Sequence, residues 1–167
     1  MSESNYQLID IRPEDWEPIR QWRNAQLDIL RQNKPITQEE QIKYSKHNDP
    51  QKCLYSFLCN GKLIGYGGLV HIDYENKRAE ISFLLEPERI KDKHLYRKEL
   101  IAFHNPLRET TEDMGIHRWH AETFEHRLWH IHCLEEFGFE YEGRLHDHVI
   151  KNGQYVDVII HGKRWNE

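Results

Sequence analysis

The spacing of apolar and polar residues changes period several times along the chain, and each change marks an element. Residues 6–11 alternate as a first strand. Arg12-Pro13-Glu14-Asp15 then opens a helix with proline and acids in its first turn, and the helix runs through Trp16, Ile19 and Arg23 to Asn24. After an irregular stretch over 27–36, Thr37-Gln38-Glu39-Glu40 forms a capping box for a second helix, which carries Gln41 and Tyr44 and stops before Pro50. Residues 52–60 and 63–72 read as two strands joined at Asn60-Gly61, a pair that tolerates the positive φ angles of a tight hairpin. Gly65, Gly67 and Gly68 in the second of these predict a bulge or a close approach by another group. Residues 77–85 form a fourth strand.

Over 93–114, Tyr96, Leu100, Phe103, Leu107 and Met114 recur at helical spacing, so one face of a long third helix is expected against a sheet. Pro106 removes one backbone bond from it and predicts a kink, and Gly115 ends it. Residues 117–124 read as a fifth strand, 127–137 as a fourth helix stopped by Gly138, and 139–150 as a sixth strand. Asn152-Gly153 turns into a seventh at 155–161. The order β-α-α-β-β-β-α-β-α-β-β predicts one α/β (α+β) domain over residues 1–167.

Composition narrows the classes. A length of 167 residues suits one core, and 38% apolar with 31% charged residues describes a soluble globular chain without a membrane span. The start Met-Ser-Glu-Ser-Asn lacks a basic region followed by an apolar one, so a cytoplasmic location is expected. Cys53, Cys59 and Cys133 form no CxxC pair and read as reduced thiols. A net charge of −5 argues against nucleic acid as partner. Twelve histidines include His126 and His130 at i, i+4, but the glutamate of an H-E-x-x-H site is absent and no third ligand is evident, so no metal is expected.

Two segments carry chemistry. Ala79-Glu80-Ile81-Ser82-Phe83-Leu84-Leu85 is a buried strand with one carboxylate, and Leu134-Glu135-Glu136-Phe137-Gly138-Phe139 is a helix end running into a strand. With the element order, they resemble the GNAT superfamily of N-acetyltransferases, which move an acyl group from coenzyme A onto an amine. Ile19-Arg20-Gln21-Trp22-Arg23-Asn24, the helix from Thr37, and Leu63-Ile64-Gly65-Tyr66-Gly67-Gly68 are similar to the branch that acetylates ribosomal-protein N-termini, aminoglycosides and nucleotide-linked amino sugars.

The resemblance implies a mixed, mostly antiparallel seven-stranded sheet, splayed between strands four and five and flanked by about four helices. It implies acetyl-CoA as acyl donor and a small polar amine as acceptor, such as an amino sugar, an aminoglycoside-like molecule, an amino acid or a peptide. A homodimer is compatible with it. The pantetheine arm would lie along the backbone of Phe83, Leu84 and Leu85, whose side chains are free to be core. The family's glycine-rich phosphate loop falls at Lys91-Asp92-Lys93-His94-Leu95-Tyr96, where neither glycine is present. There Arg89, Lys91, Lys93 and His94 either neutralise phosphates by direct contact or form a solvated basic helix start. Arg127 is placed to meet a phosphate or a surface carboxylate.

Glu80 stands where the histone-acetylating branch has its general base, since an ammonium must lose a proton before it attacks a thioester. The alternative is an ion pair with Arg78 or Arg118. The tyrosine that protonates the departing thiolate in many relatives falls at Leu134, which cannot do so; Tyr141 is a substitute or a plain strand aromatic. Trp22, Arg23, Leu30, Arg31, Gln32 and Tyr44 fall on the amine side of the family's cleft, although Trp22 also suits packing and Arg31 a solvated charge. A second function stays open: a catalytically silent module of this fold that binds a ligand or protein.

Overall fold

In the computed structural model, which describes residues 3–46 and 49–165, seven strands form one sheet in the order β1-β2-β3-β4-β5-β7-β6. The strands are β1 (Tyr6–Asp10), β2 (Cys53–Cys59), β3 (Lys62–Asp73), β4 (Arg78–Leu85), β5 (Arg118–Phe124), β6 (Glu140–Lys151) and β7 (Gln154–Arg164). β4 and β5 run parallel, and the other neighbouring pairs are antiparallel. Five helices accompany them: α1 (Trp16–Asn24), α2 (Gln38–Lys46), α3 (Pro87–Ile90), α4 (Lys93–Thr111) and α5 (Leu128–Glu136). The four-residue α3 was not expected. It forms because Pro87 presets the first turn, directly ahead of Asp92, which caps α4.

Local chemistry explains the boundaries. Proline and the two acids of the first expected helix make a 3-10 turn at Pro13–Asp15, after which α1 begins at Trp16. The Thr37 box is reciprocal: Glu40 N donates to Thr37 Oγ1 at 3.2 Å and Thr37 N to Glu40 Oε2 at 2.9 Å. Both Asn-Gly turns have positive φ at each central residue, 51° and 80° at Asn60-Gly61 and 51° and 73° at Asn152-Gly153. The expected close approach at β3 is real, since a Cβ on Gly67 would lie 2.2 Å from the Ser82 carbonyl oxygen. α4 continues as one helix through Pro106 to Thr111.

The sheet has two differently packed faces. On one, Tyr96, Leu100, Phe103 and Leu107 of α4 pack with Phe57, Ile64, Leu85, Trp119 and Leu134 as the main core, each large buried side chain contributing about 1.5–3 kcal/mol. On the other, Ile19 and Trp22 of α1 meet Tyr66 and Leu84. Strand alternation therefore sends Phe83 and Leu85 to α4, and Leu84 to α1. Glu80, two pairs before Leu84, shares the α1 face. α5 ends in a Schellman motif, with Phe139 N donating to Leu134 O at 3.0 Å and Gly138 at φ 101°. Among the described residues no helix is long and apolar enough to cross a membrane.

His104 of α4 is fully buried among Phe103, Trp119, Phe137 and Phe139, with Nδ1 2.6 Å from the Leu100 carbonyl. Burial pulls its pKa down to about 4. An unfolded imidazole titrates near 6.5, so between these values the unfolded chain holds the extra proton. Stability carried by the neutral ring is therefore complete above about pH 6.5 and is lost as pH falls toward 4, by about 3 kcal/mol. Urea unfolding from pH 8 to 4 should show this decline, and His104→Leu should make it shallower by about that amount, the rest coming from other buried histidines such as His130.

Candidate active site

β4 and β5 pair at Arg78 with Arg118, Ala79 with Trp119, and Glu80 with His120, and then part. Beyond that point β4 stays with β3 as far as Leu85, while β5 stays with β7 as far as Phe124. The gap is a cavity of about 210 Å³. Ile81, Ser82 and Phe83 line one wall, Ala121, Glu122, Thr123 and Phe124 the other, Leu100, His104, Arg127, His130 and Leu134 the α4–α5 side, and Ile29, Leu30 and Arg31 the α1–α2 loop side. The divergence expected between strands four and five is thus present, and the molecule's own atoms leave it open.

Glu80 sits where the strands separate. It is 6% exposed, and its carboxylate accepts from Arg31 Nη2 through Oε1 and lies 2.6 Å from His71 Nδ1 through Oε2. The same Arg31 nitrogen donates to Glu122 Oε2 at 2.6 Å. The ion pairs weighed for Glu80 therefore fall elsewhere, because Arg78 meets Asp73 at 3.2 Å and Arg118 meets Glu142. His71 reaches Glu80 because the chain bulges after Val70, with φ at +49° turning the ring toward β4. His120 borders the cluster, and burial lowers its pKa against the pull of Glu80 and Glu122. Glu80, His120 and Glu122 offer ligand atoms within 4.8 Å of one another, but the cation between the two carboxylates is Arg31's guanidinium.

A second, wider cavity of about 820 Å³ opens on the far side of this cluster. Arg31, Glu80 and Glu122 line both cavities. Asp73, Glu75 and His71 line the second, so its walls hold four carboxylates against Arg31 and Arg78.

The expected phosphate end is built differently from an open cradle. Asp92 Oδ1 accepts from the amides of His94 and Leu95 at 3.0 and 3.1 Å, so a carboxylate of the chain occupies the first turn of α4. Lys91 pairs with Glu88 at 2.8 Å, and Arg89 is held by the fully buried Glu99 at 2.8 Å, which removes Arg89 from the free cations. Lys93 and His94 are exposed. The Lys93 carbonyl accepts from Trp129 Nε1 at 3.0 Å and ties the start of α4 to α5. Arg127, at the start of α5, lines the β4–β5 cavity and donates to the Tyr96 hydroxyl at 3.3 Å.

Of the residues expected on the amine side, Leu30 and Arg31 reach the cavities. Trp22 belongs to the α1 core. Arg23 donates to Gln32 and Gln41 and lies 5.3 Å from the Tyr44 ring centroid, so Arg23, Gln32 and Tyr44 frame the loop from behind. Tyr141 is not brought to the site. It is 59% exposed on β6, opposite His161 and two strands beyond β5, and it lines neither cavity. The sequence reading missed Glu122 and His71, although the parallel register of Glu80 with His120 would have put Glu122 on the Glu80 face. The histidine pair His126 and His130 is not a joint site, because His126 is exposed while His130 is bonded to Tyr96.

A family model described as the acetyltransferase (GNAT) domain matches residues 8–160. The chain belongs to the GNAT acetyltransferase family. It is an N-acetyltransferase by that membership. Solved structures share the fold. A mutant form of the spermidine/spermine N-acetyltransferase SpeG from Vibrio cholerae superposes with a TM-score of 0.79 at 22% identity, covering 95% of this chain and 93% of the other. Spermidine N-acetyltransferase from Vibrio cholerae in complex with CoA and spermine gives 0.78 at 21% identity and 95% coverage of each. An N-acetyltransferase from Staphylococcus aureus Mu50 gives 0.74 at 15%, covering 96% of this chain and 98% of the other.

The Asp92 cap has two measurable consequences. Asp92→Ala leaves two helix amides without a partner and should cost about 1 kcal/mol in urea unfolding. It also removes a like charge from an anion-attracting helix end, so calorimetry should show coenzyme A binding more tightly than to the parent chain.

Proposed function

We propose that this GNAT enzyme transfers an acetyl group from acetyl-CoA to a primary amine of a small molecule carrying more than one ammonium group, with Glu80 as general base. The observation that carries the reading is that Glu80 stands on the wall common to two cavities, one between parting strands and one lined by acids. The β4–β5 gap suits a thioester donor, because residues 81–85 of β4 have no partner on the β5 side and a pantetheine amide can pair with such an edge. Acetyl-CoA, when bound, supplies the activated acyl group. Arg127, Lys93 and His94 then lie on the helix starts that face its phosphates, with Lys91 reachable if its pair with Glu88 opens.

The acid-lined cavity takes the amine. Asp73, Glu75, Glu80 and Glu122 attract ammonium groups, and Arg31 already shows how a cation settles between the last two. The structural neighbours include spermidine and spermine N-acetyltransferases, which supports a polycation over an amino sugar. An ammonium has a pKa near 10, so Glu80 receives the proton that frees the nitrogen lone pair, and His71 holds the other carboxylate oxygen in place. This arrangement disfavours the silent-module reading, since a buried carboxylate with an open cavity on each side retains what acetyl transfer requires.

Turnover with a di- or triamine should greatly exceed that with a monoamine of equal length. Glu80→Gln should lower kcat by about 100-fold near neutral pH while leaving coenzyme affinity unchanged. Glu122→Gln should raise KM for the polyamine about tenfold with little change in kcat, because it removes binding charge and not the base. Equal use of neutral and polycationic amines would overturn the assignment of the acceptor, and full activity of Glu80→Gln that of the base.

A further inference from the structure

Transfer of an acyl group from a thioester leaves a thiolate, and the group that meets that charge must line the cleft and carry a proton. Among the residues on the α4–α5 side of the cavity, Leu100 and Leu134 have none to give. His104 is committed through Nδ1 to the Leu100 carbonyl. His130 remains. Its Nδ1 lies 2.6 Å from the Tyr96 hydroxyl, and that hydroxyl accepts from Arg127 Nη2 at 3.3 Å.

Satisfaction of the buried hydroxyl points to one tautomer. Tyr96 Oη accepts from Arg127, and His130 Nδ1 is the acceptor its own proton has among the described residues, so with that proton placed the neutral imidazole carries its hydrogen on Nε2. Tyr96 is buried and lines neither cavity, whereas His130 lines the β4–β5 cavity. The Nδ1 edge therefore faces away from the gap, toward Tyr96. Nε2 has no hydrogen-bond partner among the described residues.

We propose that His130 is the acid of the reaction, giving its Nε2 proton to the departing thioester sulfur, with Tyr96 and Arg127 as positioning residues behind it. The inference rests on the acetyl-transfer reading given above. The balance is as follows: the amine nitrogen, freed of one proton by Glu80, forms the carbon–nitrogen bond; the carbon–sulfur bond breaks with its electron pair on sulfur; the Nε2 proton moves to that sulfur, His130 Nδ1 takes the Tyr96 proton, and the charge left on the Tyr96 oxygen lies beside the Arg127 guanidinium. The second proton of the nitrogen leaves to cleft water, which returns a proton to His130 Nε2 as Nδ1 gives its own back to Tyr96. Burial, together with the nearby charge of Arg127 and the rings of His104 and His161, keeps His130 well below its ordinary pKa, so the ring is neutral and has one proton to place. Arg127 also acts on Tyr96, opposing the upward push that burial gives its phenol.

Two measurements test this. Nitrogen-15 NMR of the ligand-free protein should report His130 protonated at Nε2 and bare at Nδ1, and Tyr96→Phe should mix the two tautomers; a proton on Nδ1 in the parent chain would overturn the proposal. Activity is then compared between acetyl-CoA and an acetyl donor with an acidic aryl thiol, whose thiolate leaves without help. His130→Phe should lose about 100-fold in kcat/KM with acetyl-CoA but only a few-fold with the aryl donor, and Tyr96→Phe should follow the same pattern more weakly, which keeps the test valid if His130→Phe does not fold. Equal losses with both donors would overturn it. Glu80→Gln should lose equally with both, so a fully active Glu80→Gln beside donor-dependent His130→Phe would sink the base assignment and leave the acid standing.

Discussion

The short parallel contact between β4 and β5 governs the rest of the molecule. Three residue pairs hold the strands together, and past Glu80 and His120 each strand stays with its other neighbour. A sheet that opens in this way exposes backbone donors and acceptors inside the protein, and such groups carry a free-energy cost unless they find partners. The opening persists because both sides are supported independently: α4 and α5 pack beneath it through Leu100 and Leu134, and the α1–α2 loop closes over it through Leu30 and Arg31. A ligand with amide groups spaced along an extended arm satisfies the free edge as a strand would.

The loop above the gap is held by contacts remote from the chemistry. Lys151, at the end of β6, donates to the carbonyls of Leu27 and Gln32 at 2.9 Å each, and Gln26 donates to the Leu85 carbonyl at 2.8 Å. These bonds position Arg31, whose single nitrogen bridges Glu80 and Glu122. Two carboxylates that close would repel strongly without it. A substrate ammonium bound as proposed would offer the same neutralisation and compete with Arg31, which is half exposed, for one electrostatic position.

Most of the fold was legible in the sequence because its signals are local. The Thr37 box, the two Asn-Gly turns, the stripe from Tyr96 to Leu107 and the Gly138 stop each depend on residues within a turn or two, and all are found where expected. Glu80 was legible as the one carboxylate of a buried strand. Its partners were not, since Arg31 lies 49 residues away in sequence and the turn of His71 arises from a bulge that only strand pairing defines. Arg89 looked like a free cation for the same reason: Glu99 is buried one helix away and captures it. Tyr141 failed because proximity to Phe139 in sequence says nothing about β7 lying between β6 and β5.

The fold also separates the two groups proposed to handle protons: strand alternation puts Glu80 on the α1 face, and α5 carries His130 on the α4 side. Glu80 and Leu84 point to the α1 side, Phe83 and Leu85 to the α4 side, and the gap between the strands is the passage from one to the other. A base on the α1 face and an imidazole on the α4 face therefore approach a reacting carbonyl from opposite sides, where a proton taken from the nucleophile cannot be returned to it directly. In the proposed reaction that separation favours forward transfer: Arg31 and His71 hold the two oxygens of the Glu80 carboxylate in place, while burial holds His130 well below its ordinary pKa. Placing the two groups on one face would bring them within reach of each other, and burial would then settle them as an ion pair.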